Sequence, residues 1–309
     1  MRVELRVELR VELRRRVRRR LRRLRVSFAR RLAALPPLGV GLGHRGPLAG
    51  LLEGPGSAAI ACLEVVAEHF FAPPAPRRPA RFGARPVLVH SLDLSLGTPG
   101  PLDEAYLGRV LEVAAGLDAA LISDHLAVTR TAEVELGHLN PVPPTRAAQR
   151  EVAAKIAAIQ ARAGRLFLLE NITTHLRLPG ELAFADFYAG ICEQADCGML
   201  LDVTNLYVNA RNFGHDPYRA LDALDLGRVV QLHVVGFQVQ AGRLFDTHTA
   251  DIQPALFDFT EAVLERAPVR AVIVERDGDY PARERLLGEL ERLGALFARH
   301  RLSAPVAPE

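Results

Sequence analysis

The stretch Leu166-Phe167-Leu168-Leu169-Glu170 is a run of four apolar residues that ends in a carboxylate. A short apolar run bounded by polar residues is typical of a strand buried on both faces, which occurs where helices cover a parallel sheet. Five further mainly apolar runs also end in His, Asp or Glu, and they lie at residues 87–90, 121–125, 199–202, 229–233 and 271–275. Because the carboxyl ends of parallel barrel strands meet at one mouth, these endings predict an active site there.

Strands and helices alternate along most of the chain. We predict strands at residues 39–42, 62–66, 87–90, 121–123, 166–170, 199–203, 229–234 and 271–275. Between them Ala, Leu and Arg recur at three- and four-residue intervals, which is typical of helices with one covered face. The predicted helices lie at residues 102–117, 147–163, 184–195, 217–224, 255–267 and 282–300. Eight strands with interleaved helices over about 260 residues match an α/β protein of the (β/α)8 TIM-barrel class.

The chain divides into three predicted segments. Residues 1–35 form a basic low-complexity extension that is disordered or helical, residues 36–302 form a single TIM-barrel domain, and residues 303–309 form a disordered tail. Residues 1–31 contain 14 Arg and 3 Glu, a local net charge of +11, so the rest carries −8 against a total of +3. An acidic barrel is not expected to bind nucleic acid. The extension itself is either a basic amphipathic helix for a membrane or nucleic acid, or, as the repeats favour, low-complexity sequence without that role.

The sequence also limits where the protein acts. No apolar stretch approaches the ~20 residues needed to cross a bilayer, and the arginine-rich start lacks the apolar part of a secretory signal. The three cysteines, Cys62, Cys192 and Cys197, are irregularly spaced, which argues against a disulfide framework. Cys62 starts a predicted strand and Cys192 lies in a predicted helix, so we expect both to be buried. We therefore expect a cytoplasmic protein with no membrane partner. The absence of a Gly-x-Ser-x-Gly elbow or a phosphate-binding loop argues against a serine hydrolase or a P-loop enzyme.

The polar strand endings suggest a metal site with more than one ion. Asp246-Thr247-His248 lies in the predicted loop after the seventh strand, and an extended Asp-x-His segment points both side chains the same way. Several carboxylates at one mouth would raise one another's pKa unless cations compensate. Mixed imidazoles and carboxylates are ligands of Zn, Fe and Mn. About eight candidates exceed the roughly four to six ligands that one ion uses, so the residues predict a multinuclear site.

A set of short motifs in this chain resembles the multinuclear non-heme iron-dependent oxidative enzymes, a family long catalogued only as a domain of unknown function. The resemblance covers residues 39–289. The motifs that carry it lie at residues 39–42, 63–65, 90, 94–97, 123–126, 169–171, 201–208, 212–214, 233–236, 246–248 and 275–277.

The resemblance implies a barrel related to xylose isomerase and to metal-dependent abasic-site endonucleases. It implies two or three iron ions, in the Fe(II) and Fe(III) states, and O2-dependent oxidation of Cys or other side chains in a ribosomally made peptide. A small partner protein that binds the peptide leader is also implied. The implied metal ligands are His90, Asp124, Glu170, Asp202, His233, Asp246, His248 and Glu275. The implied catalytic residues among them are Asp124, Glu170, Asp202 and His233. Secondary candidates for ligation, or for orienting a ligand, are Asn171, Asn205, His125 and Glu64.

Two positions depart from the family pattern, and two other functions stay open. His44, in the loop 43–47, does not align securely with a His found in many members, and Phe237 stands where many members have a second His. The first alternative is a Zn- or Mn-dependent hydrolase, like an abasic-site endonuclease, or a sugar isomerase on the same barrel. The second is a non-enzymatic metal-holding protein that binds a peptide partner.

Overall fold

The computed structural model describes residues 27–73, 76–131 and 133–301. Its strands are β1 (Gly39–Gly43), β2 (Cys62–Val66), β3 (Val87–His90), β4 (Leu121–His125), β5 (Val128–Arg130), β6 (Glu135–Asn140), β7 (Leu166–Glu170), β8 (Gly198–Asp202), β9 (Val229–Val234), β10 (Gly236–Gln240), β11 (Arg243–Ala250) and β12 (Ala271–Val274). Its α-helices are α1 (Phe28–Ala34), α2 (Glu104–Gly116), α3 (Arg146–Ala163), α4 (Phe184–Ala195), α5 (Val203–Asn212), α6 (Pro217–Asp222), α7 (Pro254–Leu264) and α8 (Arg283–Arg301).

Eight parallel strands close into a barrel in the order β1-β12-β9-β8-β7-β4-β3-β2, which confirms the predicted TIM barrel. The four remaining strands form two antiparallel hairpins, β5–β6 and β10–β11, on loops that follow β4 and β9. Both hairpins therefore stand at the carboxyl end of the barrel, where the predicted active site lies.

The alternation of side chains along each strand directs the site residues into the barrel. Leu88, Leu168, Leu200 and Ile273 belong to one buried apolar cluster inside the barrel. Each lies two residues before a predicted ligand at the end of its strand, and residues two apart on a strand share a face. The neighbouring apolar residues, such as Phe167, pack in the outer cluster against the helices. The inner face of the barrel is therefore apolar below the mouth and carries the predicted ligands at the mouth.

The opposite end of the barrel is closed by helix α1. Ser27 caps this helix by accepting a hydrogen bond from the Arg30 N–H, and Phe28 is buried in the same inner cluster. The Phe28 N–H donates to Asp196, just before β8, at 3.0 Å. This helix lies within the segment predicted as a basic extension, whereas residues 1–26 and the predicted tail 303–309 fall outside the described residues.

Several predicted boundaries differ from the structure. β4 continues two residues past the predicted end at Ser123, and the strand predicted to reach Val203 ends at Asp202, which caps the unpredicted helix α5. Neither hairpin was predicted. The other helices agree within about three residues, as is normal for element ends. All three cysteines are free and buried, which confirms the expectation for Cys62 and Cys192. None of the helices in the described ranges is long and apolar enough to cross a membrane.

We predict that Gly41→Ala destabilises the barrel by about 1–3 kcal/mol, because the new Cβ would lie 2.2 Å from the Cys62 carbonyl oxygen on the neighbouring strand. The matched control is Gly108→Ala in α2, where no atom lies within 4 Å of the new Cβ. That change should stabilise the protein by about 0.5–1 kcal/mol, since alanine is the better helix former. Urea unfolding of both variants measures the difference, and equal midpoints would contradict the packing described for β1.

Candidate metal centre

The predicted ligands on the barrel strands lie together and are buried at the mouth. His90, Glu170 and Asp202 each end a strand and are at most 2% exposed. His233 is fully buried near the end of β9, and Glu275, directly after β12, is 5% exposed. Nearly complete burial of charged groups is costly unless each one has an opposite charge or a metal beside it.

A first group of ligand atoms comprises His90, His125 and Glu170. The Nε2 atoms of the two histidines are 3.3 Å apart, and each lies 3.4 Å from Glu170 Oε2. The other nitrogen of His90, Nδ1, lies 2.9 Å from the Ser123 hydroxyl, which orients the ring. Two imidazole nitrogens therefore converge on one carboxylate oxygen, as ligands of a single ion do.

The second group shares Glu170 with the first and adds Asp202, His233 and Glu275. His233 Nδ1 lies 3.2 Å from Glu170 Oε1 and 3.0 Å from Glu275 Oε2. Its Nε2 atom lies 2.8 Å from Glu64 Oε1. Strands β7, β8 and β9 and the residue directly after β12 thus contribute one side chain each to this group.

The β10–β11 hairpin completes the site. His248 Nε2 lies 2.8 Å from Asp246 Oδ2, and its Nδ1 lies 2.7 Å from Asp277 Oδ2. His248 belongs to one group with Asp202 and Asp246, and to another with Glu275 and Asp277. Its φ of 53° is in the left-handed region that few non-glycine residues adopt, so the hairpin holds this imidazole at a cost in backbone energy.

The groups form a continuous series because Glu170, Asp202, His248 and Glu275 each belong to two of them. Carboxylates that serve two groups are the natural bridges between neighbouring ions. The structure therefore brings together several adjoining groups of side chains that could each hold a metal ion.

The buried oxygens of this series have free capacity for a cation. In the described ranges, Glu170 Oε2, Asp202 Oδ2 and Asp246 Oδ1 are buried without a hydrogen-bond partner, as is His125 Nδ1. An unpaired buried carboxylate oxygen costs about 1–3 kcal/mol or more, which a coordinated ion would offset. The donor set of imidazoles and carboxylates, together with these unpaired atoms, fits metal ions of the Zn, Fe and Mn type.

The charges of the site shift its pKa values strongly. Burial favours a neutral imidazole, but Glu170 and Asp124 raise the pKa of His125 to about 9. Burial is likewise overcome at His233, where Glu64 and Glu170 hold the pKa well above its usual range. The three nearby histidines in turn lower the pKa of Glu170 despite its burial.

Two further carboxylates shift in opposite directions. Burial, together with the charges of Asp246 and Glu170, raises the pKa of Asp202 well above its usual value. At Glu275 the effect of burial is outweighed by His233 and His248, which hold its pKa well below the usual value. In the absence of a metal, protons on the imidazoles thus balance the negative charge of the carboxylates.

Four predicted site residues lie outside these groups and make other contacts: Asp124, Asn171, Glu64 and Asn205. Asp124 accepts hydrogen bonds from the Leu94 N–H at 2.9 Å and the His125 N–H at 2.5 Å, and it lies outside the groups described above. Its neighbour His125 belongs to the first group, because residues 121, 123 and 125 face the barrel interior. The side chain of Asn171 pairs with the backbone N–H and carbonyl of Asp202, both at 2.9 Å.

Glu64 and Asn205 lie one step from the ligand groups. Glu64 is held between His233 and the Gln231 side-chain amide. The Asn205 side-chain amide donates to the Asn171 carbonyl at 3.3 Å, and its backbone N–H donates at 2.6 Å to Asp202 Oδ1, the cap of α5. Both residues orient neighbouring groups in this geometry, as residues around a metal's direct ligands do.

Asp277 and Arg45 were absent from the sequence-predicted site. Arg45 Nη2 lies 3.1 Å from Glu275 Oε1 and 2.6 Å from Asp277 Oδ1, so one guanidinium holds both carboxylates. The available signal for Asp277 was its spacing, since it lies two residues after Glu275 and extended chain points both side chains to one side. No such signal marks Arg45, which comes from the other end of the chain.

The two positions that depart from the family pattern lie beside the site. His44 packs edge-on against Phe82 with ring centroids 5.0 Å apart, and burial with nearby arginines lowers its pKa to about 4. Phe237, at the base of the β10–β11 hairpin, stacks on Tyr207 at 5.8 Å. An aromatic packing contact therefore occupies the place of the second histidine.

A cavity of about 520 Å³ opens above these residues. Its walls include His125, His248 and Glu275 from the site, and Glu135 and His138 from the β5–β6 hairpin. The volume is within the usual ~300–1,000 Å³ of small-molecule sites, so the mouth can accept a side chain of a substrate.

A sequence profile of the family described as RiPP precursor modification enzyme MbnB/TglH/ChrH matches residues 39–298. A UPF0276 protein of Rhizorhabdus wittichii is 33% identical over 255 residues, which are 81% of this chain and 92% of that protein. A UPF0276 protein of Acaryochloris marina is 34% identical over 217 residues, 70% of this chain and 79% of the relative. These matches support the family resemblance found in the motifs.

Two solved structures share the barrel at low sequence identity. Endonuclease IV from Thermus thermophilus is 21% identical with a TM-score of 0.54, covering 86% of this chain and 100% of that chain. A xylose isomerase domain protein from Planctomyces limnophilus is 13% identical with a TM-score of 0.50, covering 87% of this chain and 99% of that chain. At these identities the likeness concerns the fold alone, and that fold is the predicted barrel.

We predict that metal-free protein, prepared with a chelator, loses stability as the pH rises from about 6.5 to 9. Because the folded-state pKa of His125 is raised to about 9, its proton stabilises the folded state below the unfolded value of about 6.5. That contribution disappears as the pH passes through the folded value. Urea midpoints across this range measure the loss, and His125→Asn should reduce it whereas His138→Asn, at an exposed position, should not. A flat profile for the unaltered protein would contradict the electrostatics described here.

Proposed function

This chain belongs to the family of RiPP precursor modification enzymes MbnB/TglH/ChrH, and on that basis we propose that it oxidises a ribosomally made peptide with iron and O2. The observation that carries the proposal is the continuous series of buried ligand groups, linked by Glu170, Asp202, His248 and Glu275. A mononuclear enzyme has no use for so many shared carboxylates.

In the proposed site each ion has its own group of residues. The first ion would be held by His90, His125 and Glu170, and the second by the group around His233. A third would be held by Asp202 with the residues of the β10–β11 hairpin. We therefore propose His90, Glu170, Asp202, His233, Asp246, His248 and Glu275 as ligands, with His125 and Asp277 added. Asp124 is proposed to orient His125.

When bound, iron would supply redox chemistry toward O2, and the rest is the work of the protein side chains. The cavity walls position a cysteine or another side chain of the peptide above the ligand groups and limit the access of water. Arg45 fixes one oxygen of each carboxylate after β12, and their other oxygens contact His233 and His248. Glu64 and Gln231 hold the ring of His233 from behind.

The proposal extends to the setting of the enzyme. We propose a cytoplasmic enzyme in which residues 36–302 act as one barrel domain. A small partner protein that binds the peptide leader would present the substrate, since the cavity accepts a side chain and not a folded peptide. Zn- or Mn-dependent hydrolysis or isomerisation is the competing function, because the same donor set binds those ions.

We predict that Glu170→Gln lowers the iron content from about two or three ions per chain by at least one ion. The neutral amide is a weak ligand and cannot bridge two groups, whereas the carboxylate serves both. Elemental analysis after anaerobic loading with Fe(II) is the measurement. Glu193→Gln is the control, because Glu193 is exposed on α4 and belongs to none of the ligand groups, so its loss should leave the iron content unchanged. Equal iron in the two variants would remove Glu170 from the site.

We also predict Mössbauer signals of coupled iron ions in anaerobically reconstituted protein, with oxidation of Fe(II) on exposure to O2. The physical reason is the sharing of carboxylates between groups, which brings neighbouring ions within the distance of one bridge. A spectrum of isolated iron alone would contradict the multinuclear proposal. Cleavage of abasic DNA by the zinc-loaded protein without O2 would replace the oxidative function by hydrolysis.

A further inference from the structure

A second cavity of about 480 Å³ lies beside the metal centre on the same end of the barrel. One wall is the loop after β7 with the start of α4, including Leu176 and Phe184, and the other is α5 with Phe213. Leu176 is 64% exposed and Phe184 is 46% exposed, although both are large apolar side chains. Exposed apolar residues concentrated in one groove are typical of a binding surface.

The charge of this groove is opposite to that of the barrel. Its lining residues include no Asp or Glu, and its charged side chain is Arg177. In the part of the chain that the structure describes, Arg177 pairs with no carboxylate; it lies over the Phe213 ring at 4.3 Å and contacts His215. The nearby Glu181 accepts a hydrogen bond from the Arg146 N–H at 2.9 Å and is not part of the lining.

The groove begins directly at the metal centre. Leu126 follows His125, Asn171 follows Glu170, and both Leu126 and Asn171 line the groove. A chain seated in the groove can therefore reach the ligand groups within a few residues. Continuity of this kind is expected where one extended ligand occupies a recognition surface and a reaction site together.

We propose that this groove binds an apolar segment of the peptide substrate that also carries a carboxylate, next to the side chain that is modified. The apolar side chains of the segment would pack between Leu176, Phe184 and Phe213, and its carboxylate would pair with Arg177. The inference rests on the proposed peptide-modifying function and adds to it the chemical class of peptide that the enzyme selects.

The test uses three fluorescein-labelled synthetic peptides with the full-length, iron-loaded protein under nitrogen. The first peptide alternates Leu and Phe with Asp, the second has Lys at every Asp position, and the third has Ser at every Leu and Phe position. Fluorescence anisotropy gives the dissociation constants. We expect the first peptide to bind about tenfold more tightly than either of the others, because each of those lacks one half of the recognition.

The charge contact is tested by Arg177→Glu, which should weaken binding of the Asp peptide about tenfold and strengthen binding of the Lys peptide. Arg292→Glu is the matched control, since Arg292 also lies over a phenylalanine, Phe257, at 3.8 Å but far from the groove along the chain. Unchanged discrimination in Arg177→Glu, or an equal change in Arg292→Glu, would overturn the proposal.

The apolar contact is tested by Leu176→Ser, with Val239→Ser as the control at a similarly exposed position, 62% against 64%. We expect the first change alone to weaken the Asp peptide, by about fivefold or more. If Leu176→Ser instead shifts the sedimentation of the protein and leaves peptide binding intact, the groove joins two copies of the chain and the proposal fails.

The same samples separate this inference from the proposed function. If the protein holds its full iron content but peptide binding does not depend on Arg177, the groove proposal fails and the proposed function is unaffected. Arg177-dependent binding in protein without coupled iron leaves the groove supported and overturns the oxidative function.

Discussion

The mouth of this barrel depends on one electrostatic constraint, the burial of several carboxylates and imidazoles within contact of one another. Glu170 lies among three histidines, and His233 lies among three glutamates. In a buried volume such an arrangement is stable only if positive charge is supplied. Protons on the imidazoles supply it in the absence of metal, and metal ions would take their place at the same atoms. Protons and metal ions would therefore compete for the same ligand atoms.

The barrel and its hairpins divide the construction of the site between them. The strands set the first two ligand groups, because their alternation turns every second residue inward and their carboxyl ends converge. The β10–β11 hairpin adds Asp246 and His248, and the β5–β6 hairpin forms part of the cavity wall. Rigid strands thus define the inner ligands, and the longer loop insertions determine what reaches them.

Sequence reasoning predicted the barrel, and it also selected most of the side chains that the structure brings together at the mouth, because both leave a periodic signal. Apolar runs that end in a polar residue marked His90, Glu170, Asp202, His233 and Glu275 as candidate ligands. At β4 the family resemblance implied Asp124 as the ligand, whereas the strand extends to His125 and turns that ring inward. Helix α5 was missed since Asp202 is both the end of β8 and the cap of the helix.

The remaining features depend on contacts between distant parts of the chain. Arg45 reaches Glu275 and Asp277 across more than two hundred residues, and no local pattern in the sequence predicts that pairing. The hairpin strands β6, β10 and β11 are largely half-exposed or exposed and show no clear alternation. Residues that orient a ligand, such as Asn171, also carry no periodic signal, because their partner is backbone.

The central claim is that the shared carboxylates hold more than one iron ion. Anomalous diffraction at the iron absorption edge, from crystals grown anaerobically with Fe(II), tests it most directly. The account predicts two or three separate peaks, with ligands at roughly 2.0–2.2 Å and Glu170 between two of the peaks. A single peak, or peaks that appear only at the zinc edge, would contradict it.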